Sequence, residues 1–404
     1  MSIDAVTKEL GHNGDVSIIA LVGGLIERAR SLNASDIHID PNHAGLRVRL
    51  RVDGVLQDAY TFPHTISSEV ISRIKVLASL RTDEHQATQD GRFRLPFAKG
   101  DFVDVRVSIA PTYHGENAVL RLLSDTAENF TLEMLGFSGT DQEKILHAIR
   151  KPSGMVLATG PTGSGKTTTL YTLLKLLNSK EISIVTIEDP IEYAVEGVEQ
   201  IQVNPRAGLT FANGLRTILR QDPNIIMVGE IRDTETASIA INTALTGHLL
   251  LSTLHTNDAA TTLPRLLDMD IEAFLVASTV SVAIAQRLVR KICLTCREEV
   301  AVTQGYVESL QSMAFKNKVH AGDVVYRGAG CAACNNSGYS GRVCINEVLV
   351  ADDEMREAIL QKVSSSELKK VAIKNGMTTM LEDGFAKVRA GITTFEEVLR
   401  VIYE

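Results

Sequence analysis

The fold of this chain is decided by the stretch Met155-Val156-Leu157-Ala158-Thr159-Gly160-Pro161-Thr162-Gly163-Ser164-Gly165-Lys166-Thr167-Thr168-Thr169. Gly160 to Thr167 matches the pattern G-x4-G-K-[ST], directly after an apolar segment and directly before a helical one. Glycines let such a loop close tightly, so that backbone N–H groups and a helix N-terminus point at a β-phosphate. Lys166 would neutralise β and γ oxygens, and Thr167 would hold Mg²⁺. The stretch therefore predicts an ATP site, whereas a mere glycine-rich turn would leave the lysine unexplained.

Contacts with the nucleotide are expected from the whole loop and from the residue after it. The expected set is Gly160, Pro161, Thr162, Gly163, Ser164, Gly165, Lys166, Thr167 and Thr168.

Around this loop, short apolar strands alternate with helical segments, which is typical of a mostly parallel sheet covered on both faces. The strands are expected at Met155 to Ala158, Ile182 to Ile187, Ile225 to Val228 and Leu249 to Leu254. Residues 352–404 are helical by their periodicity. We assign 136–404 to this larger domain.

The residues before 125 follow a different pattern. Leu46, Val48, Leu50 and Val52 alternate with arginines, as in a strand with one buried and one solvated face. Residues 103–109 alternate in the same way, and helical segments precede both strands. We therefore predict a tail at 1–13, a small α/β domain at 14–124 and a linker at 125–135.

Composition excludes several classes of protein. The 404 residues are 44% hydrophobic and 22% charged, as in an ordinary globular protein. The net charge of −8 has the wrong sign for a protein that coats phosphate backbones, so no direct nucleic-acid partner is expected. The longest mostly apolar stretch, Phe274 to Leu288, is interrupted by polar residues and is shorter than the ~20 residues of a membrane span. Asp4 and Glu9 do not fit a secretory signal, and we expect a cytosolic protein.

Two of the predicted strands end in acidic residues. One runs into Glu188-Asp189-Pro190-Ile191-Glu192 and the other into Gly229-Glu230-Ile231-Arg232-Asp233. Phosphoryl transfer to water needs one acid to orient the water and another to manage the metal, normally at the carboxyl ends of neighbouring strands. Helix-capping or solvated acids are the alternative, and the residues alone do not rank Glu192 above Glu188.

His248 and His255 flank the strand predicted at Leu249 to Leu254. A lone histidine is usually structural. Because both lie beside the predicted nucleotide sheet, a role at the γ-phosphate or in a subunit contact is the competing interpretation.

Four cysteines form two short pairs. Cys293 and Cys296 make one C-x2-C pair, and Cys331 and Cys334 make the other, with thirty-four residues between the pairs. Such pairs suit a tetrahedral Zn²⁺ in a closed, structural site, although four free thiols remain an alternative at this spacing. Cys344 stands apart and is interpreted as a small buried hydrophobe.

Four of these segments occur together in one order. Gly160 to Thr167 looks like a Walker A loop, Ile187 to Glu192 like an Asp box, Met227 to Asp233 like an atypical Walker B motif, and Thr246 to Asn257 like a His box. Together they resemble the secretion ATPase superfamily, and within it the branch that drives type II secretion and type IV pilus extension. The resemblance spans about Val16 to Ile402. It does not include the family's further N-terminal domain, which docks on an inner-membrane partner, so we expect either a short member or part of a longer one.

The resemblance implies roles for single residues. Glu192 would be the catalytic base, Glu230 would manage Mg²⁺ and its waters, and His248 and His255 would couple the nucleotide state to the fold. A tetracysteine is typical of the extension branch, which favours Zn²⁺ at the cysteines. The conserved arginines fall on Arg216, Arg220 and Arg232, and on Arg92 and Arg106 of the smaller domain. For Arg92 and Arg106, a solvated sheet surface is the alternative.

The expected fold class is α/β. We expect a small α/β (PAS-like) N-terminal domain followed by a RecA-like P-loop ATPase domain. The ATPase domain would carry a tetracysteine zinc hairpin at 291–345 and the helical tail at 352–404. The resemblance implies a homohexamer that hydrolyses ATP to assemble pilin-like filaments. It also implies an inner-membrane platform protein and other machine components as partners, at the inner face of the cytoplasmic membrane. The alternatives are a RecA-like DNA-translocating ATPase and a non-hydrolysing scaffold that uses nucleotide to hold a ring.

Overall fold

The computed structural model describes residues 5–11, 16–97, 102–123, 130–311 and 319–403, with the side chains of 309–311 left aside. The chain divides into two compact units, Met1–Ala127 and Glu128–Glu404. Residues 1–4 and 12–13 of the predicted tail and 125–129 of the predicted linker lie outside the described residues.

The first unit is built on a six-stranded antiparallel sheet in the order β3-β2-β1-β6-β5-β4. Leu46, Val48 and Leu50 are at most 3% exposed, because one face of the sheet packs on the core that the helices complete. The elements are α1 Ala5–Leu10, α2 Ile18–Ser31, β1 Ala34–Asn42, β2 Gly45–Val52, β3 Val55–Pro63, α3 Ser67–Leu77, β4 Gln89–Pro96, β5 Phe102–Thr112 and β6 Gly115–Leu123.

Two short helices lie in the predicted tail and the predicted linker. Residues 5–10 of the predicted tail form α1, whose Val6 is fully buried and lies beside Gly24 of α2. In the predicted linker, Leu132–Leu135 forms α4, the Thr131 side chain accepts the Met134 N–H, and Leu132 is buried. Both helices are too short to be stable alone and depend on tertiary packing.

The second unit contains a seven-stranded sheet in the order β15-β12-β7-β11-β10-β8-β9. All neighbouring pairs are parallel except β12 with β15. The four central strands are buried along their whole length, as expected for a sheet covered on both faces. The strands of this unit are β7 Gly154–Thr159, β8 Ile184–Glu188, β9 Glu199–Gln202, β10 Ile225–Val228, β11 Leu249–Leu254, β12 Val280–Ile292, β13 Arg297–Ala301, β14 Val324–Gly328 and β15 Tyr339–Val350.

Helices cover this sheet and form the C-terminal tail. The mostly apolar stretch from Phe274 to Leu288 contains nearly all of α10 and the first part of the strand β12. Among the described helices, none combines the length and the apolar character that a bilayer crossing requires. The remaining helices are α5 Gly139–Ile149, α6 Lys166–Leu177, α7 Phe211–Ile218, α8 Thr234–Leu245, α9 Ala259–Asp268, α10 Ala273–Thr279, α11 Gln304–Gln311, α12 Asp353–Leu360, α13 Ser365–Lys374, α14 Met380–Arg389 and α15 Phe395–Tyr403.

The cysteine pairs lie in a module between β12 and β15, in which β13 and β14 form a two-stranded antiparallel sheet. The module is narrower than the predicted 291–345, because residues 291–292 and 339–345 continue strands of the main sheet. It also packs on the C-terminal tail: the hydroxyl of Tyr306, on α11 of this module, donates to Glu396 of α15 at 2.6 Å.

Candidate functional site

The predicted phosphate loop connects β7 to α6 at the carboxyl edge of the parallel sheet. Gly160, Gly163 and Gly165 have φ values of +140°, +79° and +90°, a region that favours glycine. At Gly160 a side chain would also collide with the Gln286 carbonyl of β12. The helix begins at Lys166, so its first N–H groups face the loop. The loop therefore has the conformation that its sequence predicted.

Lys166 lies folded onto the loop. Its Nζ donates to the carbonyl oxygens of Gly160 at 2.9 Å and Pro161 at 3.0 Å. Burial lowers the pKa of Lys166, and the nearby carboxylate of Glu230 opposes that shift. Lys166 and Glu230 thus belong to one electrostatic site, although they come from different motifs.

Gln286 on β12 supports the loop from below and was not recognised from the sequence. It is 1% exposed, its Nε2 donates to the Ser164 carbonyl at 2.8 Å, and its Oε1 accepts the Thr169 hydroxyl at 2.9 Å. Both ends of its amide are thus used by the loop and the first turn of α6. The one signal in the sequence is a single amide within an apolar strand, because a buried amide must be hydrogen-bonded.

We predict that Gln286→Leu lowers nucleotide affinity by roughly tenfold, because the buried Ser164 carbonyl loses its donor, which typically costs about 1–3 kcal/mol. The measurement is ADP titration by calorimetry. Gln142→Leu is the matched control, since its Nε2 also donates to a backbone carbonyl, that of Phe137 at 2.8 Å, outside the loop. Equal affinities of Gln286→Leu and the unaltered chain would contradict this support role.

The structure separates the acids that follow β8. Glu188 is 2% exposed, and its carboxylate accepts from Thr186 at 2.5 Å, from Gln200 at 3.2 Å and from the Tyr171 hydroxyl. Burial raises the pKa of Glu188, against the effect of these donors. By contrast, Asp189 and Glu192 are exposed. Only an exposed acid can contact the water that attacks the nucleotide. The geometry therefore favours Glu192 over Glu188 as the catalytic base.

Glu230 follows β10 and holds two predicted site residues. Its carboxylate pairs with Arg232 through one oxygen and with His255 Nε2 at 3.2 Å through the other, and its side chain is 13% exposed. The bond from Glu230 raises the pKa of Arg232. The Ile231 N–H donates to the Thr253 carbonyl at 3.0 Å, which fixes this turn against β11. Arg232, Glu230 and His255 therefore form one cluster.

The two predicted histidines lie at opposite ends of β11. His255 reaches Glu230, and the next residue, Thr256, bonds to Thr159 between hydroxyl groups at 2.5 Å, directly before the phosphate loop. His248 precedes β11, and its Nδ1 lies 3.1 Å from the Thr243 carbonyl. Because β7 and β11 are parallel, His248 lies at the edge away from the loop. The structure thus brings His255 to the site and His248 to the far edge.

The remaining predicted arginines lie elsewhere. Arg216 pairs with Glu235 at 2.7 Å, and Arg220 donates to the Arg216 carbonyl at 3.0 Å, so their described contacts are with α7 and α8. In the first unit, Arg92 lies opposite Arg106, and Arg106 lies opposite Arg121 on the next strand. Like charges directly opposite one another are unfavourable, and the Asp36 carboxylate compensates Arg121 of this row at 3.0 Å.

The four cysteines meet in a cluster whose Sγ atoms all lie within 4.8 Å of one another. Cys293 to Cys331 and Cys296 to Cys334 are 3.8 Å apart, and Cys331 to Cys334 are 3.7 Å apart. A tetrahedral metal with bonds of about 2.3 Å requires sulfur separations of about 3.8 Å. The N–H groups of Cys331 and Gly338 both point at Cys334 Sγ, at 3.2 and 3.3 Å. The donor set therefore fits a metal that prefers four thiolates, and Cys344 is buried apart from it.

Comparisons with known proteins identify the family of this chain. A family model described as "Type II/IV secretion system protein" matches residues 12–400. The type II secretion system protein E of Xanthomonas campestris pv. campestris is 48% identical over 96% of this chain and 68% of its own length. The type II secretion system ATPase E of Vibrio cholerae is 45% identical over 98% of this chain and 77% of its own length. The type IV pilus assembly ATPase PilB of Thermus thermophilus is 46% identical over 93% of this chain and 42% of its own length.

Solved structures show the same fold. The Legionella pneumophila ATPase DotB superposes with a TM-score of 0.68 at 25% identity, over 94% of each chain. The pilus retraction motor PilT with bound ADP superposes with a TM-score of 0.64 at 27% identity, over 94% of this chain and 96% of that chain. These matches confirm the α/β fold with a RecA-like ATPase domain and the resemblance that the four motifs carried. The chain belongs to the type II/IV secretion system protein family and is a secretion or pilus-assembly ATPase.

Proposed function

We propose that this chain hydrolyses ATP in a ring of six identical subunits and so drives the assembly of pilin-like filaments in type II secretion or type IV pilus biogenesis. The observation that carries the proposal is the meeting of a phosphate loop, the acid Glu230 with its cationic partners and the exposed acid Glu192 at one edge of the parallel sheet. The biological setting comes from the relatives, whose names place them in type II secretion and type IV pilus assembly.

In this proposal each acid has a separate task. The loop N–H groups and Lys166 bind the phosphates, and Lys166 turns toward them from the loop carbonyls that it now contacts. Thr167 and Glu230 hold Mg²⁺ and its waters, and Mg²⁺ would neutralise charge on the phosphate oxygens. Glu192 accepts a proton from the attacking water. His255, which shares Glu230 with Arg232, links the nucleotide to the end of β11.

In this proposal the predicted arginines supply further positive charge to the nucleotide site. We assign Arg92 and Arg106 to the neutralisation of transition-state charge from a neighbouring subunit, because their row presents cationic groups in register. Arg216, Arg220 and Arg232 are assigned to the same active-site region, and His248, at the far sheet edge, to a subunit contact.

The proposal is tested by magnesium-dependent hydrolysis at increasing protein concentration, with the mass of the oligomer recorded alongside. Activity per subunit should rise as the ring forms. Mixed rings give the sharper measurement: Arg106→Ala and Glu192→Gln chains should each be inactive, and joint assembly should restore activity at roughly a quarter of the sites, if each site takes its base from one subunit and its arginine from the next.

Mixed rings that stay inactive would place the arginines in the same subunit as the base. Tight nucleotide binding without turnover in any oligomer would favour a scaffold over a motor. Arg47→Ala is a matched control for Arg106→Ala, since it also removes an arginine from the first unit's sheet, one paired with Asp58 at 2.6 Å.

We also propose Zn²⁺ as the metal of the cysteine cluster, in a structural role, because four thiolates would leave no open position. The ring would work in the cytoplasm, at the inner face of the cytoplasmic membrane, through an inner-membrane platform protein and other machine components. The described helices offer no membrane span for direct anchorage. Retention of the ring on membranes only when the platform protein is present would support this placement.

A further inference from the structure

One buried network joins the helix of the phosphate loop to the segment that carries Glu192. Tyr171 lies on α6, five residues after Lys166, and is 0% exposed. Its hydroxyl donates to Glu188 Oε2, and its oxygen accepts the Glu192 backbone N–H at 3.4 Å and Gln200 Nε2 at 3.3 Å. The phenol oxygen therefore stands between a buried carboxyl group and the backbone of Glu192.

Glu188 serves in this network as an acceptor. One of its oxygens accepts from Thr186 at 2.5 Å and from Gln200 at 3.2 Å, and the other accepts from Tyr171. Three donors fit within the roughly four lone-pair sites of an ionised carboxylate, which only accepts. Burial beside this carboxylate raises the pKa of Tyr171, so the phenol keeps its proton and remains the donor. Glu188 thus fixes the direction of the Tyr171 hydroxyl.

A second contact reaches the chain on the other side of Glu192. The rings of Tyr171 and Tyr193 meet edge to face, with centroids 4.7 Å apart. Such aromatic pairs prefer defined geometries. One side chain therefore touches the peptide N–H of Glu192 and the ring of the residue after it, and so restrains the backbone around the exposed carboxylate.

We propose that Tyr171, anchored on Glu188, is a positioning residue that holds Glu192 at a fixed place relative to the phosphate loop. The same helix begins at Lys166 and carries Tyr171, so the phosphate cradle and the support of the base move as one rigid element. A misplacement of a reacting group by about 1 Å can cost on the order of 100-fold in rate. The inference rests on the proposed function, because it takes Glu192 to act on the attacking water.

The first test is Tyr171→Phe, which keeps the ring and its contact with Tyr193 and removes only the hydroxyl. We expect kcat to fall roughly 10- to 100-fold. The KM for ATP, the affinity for ADP and the oligomer mass should stay within about twofold, since the loop is untouched. Tyr306→Phe is the matched control. Tyr306 lies in the cysteine module, and its hydroxyl also donates to a carboxylate, that of Glu396 at 2.6 Å. The kcat of Tyr306→Phe should be unchanged.

The second test asks whether Tyr171 acts through Glu192. In single-turnover hydrolysis with enzyme in excess, Tyr171→Phe should cause no further loss in a Glu192→Gln background, because residues that act as one unit are not additive. Glu188→Gln should lower kcat in the same direction with unchanged ADP affinity. If thermal melting shows that Tyr171→Phe does not fold, the kcat of Glu188→Gln becomes the deciding measurement.

Three results would overturn the inference: a kcat for Tyr171→Phe within twofold of the unaltered chain, a weakened ADP affinity with kcat intact, or the same fold-loss with and without Glu192. The two proposals fail differently. An inactive Glu192→Gln beside active Tyr171→Phe and Glu188→Gln would remove the positioning role and leave the base in place. A fully active Glu192→Gln would remove the base itself and the positioning role with it.

Discussion

Glu192→Gln is expected to lower kcat for ATP hydrolysis by about 1,000-fold while ATP and ADP still bind. The amide keeps the size of the side chain but cannot accept a proton from water, and general-base catalysis typically contributes about 10²- to 10⁴-fold. The phosphate loop with Lys166 and the cluster around Glu230 do not depend on this carboxylate in any contact that the structure describes. Steady-state hydrolysis and ADP titration on the same preparation separate the two effects.

The control for this substitution lies in the same loop. Glu196 is exposed, four residues further along, and its backbone carbonyl accepts from Asn178 at 2.7 Å whichever side chain it carries. Glu196→Gln should therefore hydrolyse ATP normally. If Glu192→Gln kept more than about a tenth of the activity, the effect would fall below the range of general-base catalysis, and another acid would have to serve as the base.

Removal of the Zn²⁺ that we propose for the cysteine cluster is expected to produce the largest loss of stability. A structural metal contributes its binding energy to folding, and the ligands repel or lie unpaired without it. Cys331→Ser should reduce the bound metal from one per chain to none and lower Tm by roughly 10 °C, at about 2–4 °C for each kcal/mol lost. Elemental analysis and thermal melting measure the two quantities.

The loss should extend beyond the module. A side chain on Gly391 would meet the Tyr326 ring of β14 at 2.6 Å, and Arg297 of β13 donates to the Gly391 carbonyl at 3.4 Å, so the module packs directly on the turn before α15. Faster amide exchange in 391–403 is therefore expected in Cys331→Ser. Cys344→Ala is the control, because this buried cysteine lies outside the cluster and should leave the metal content unchanged. If the unaltered chain also held no metal, and Cys331→Ser had the same Tm, the cluster would instead be four free thiols.

The features that rest on contiguous residues could be predicted from the sequence. Local spacing predicts the phosphate loop, the parallel strands around it and the cysteine pairs. Each of these features, whether a strand, a tight turn or a C-x2-C pair, is set by residues that are neighbours along the chain. The strand bounds agree closely: the predicted Ile225 to Val228 and Leu249 to Leu254 are the observed β10 and β11. The family followed from the order of four such motifs, and the comparisons confirm it.

The way in which residues from distant segments share the site could not be predicted, because it depends on how the chain packs. Glu188 and Glu192 are equivalent acids in the sequence, but the fold buries one against Tyr171 and leaves the other exposed. Gln286 supports a loop more than a hundred residues earlier in the chain, and of the two histidines only His255 reaches Glu230. Such contacts depend on strand order and packing rather than on local spacing. Burial decides whether an acid can take part in catalysis or has a structural role, and it is set only when the chain folds.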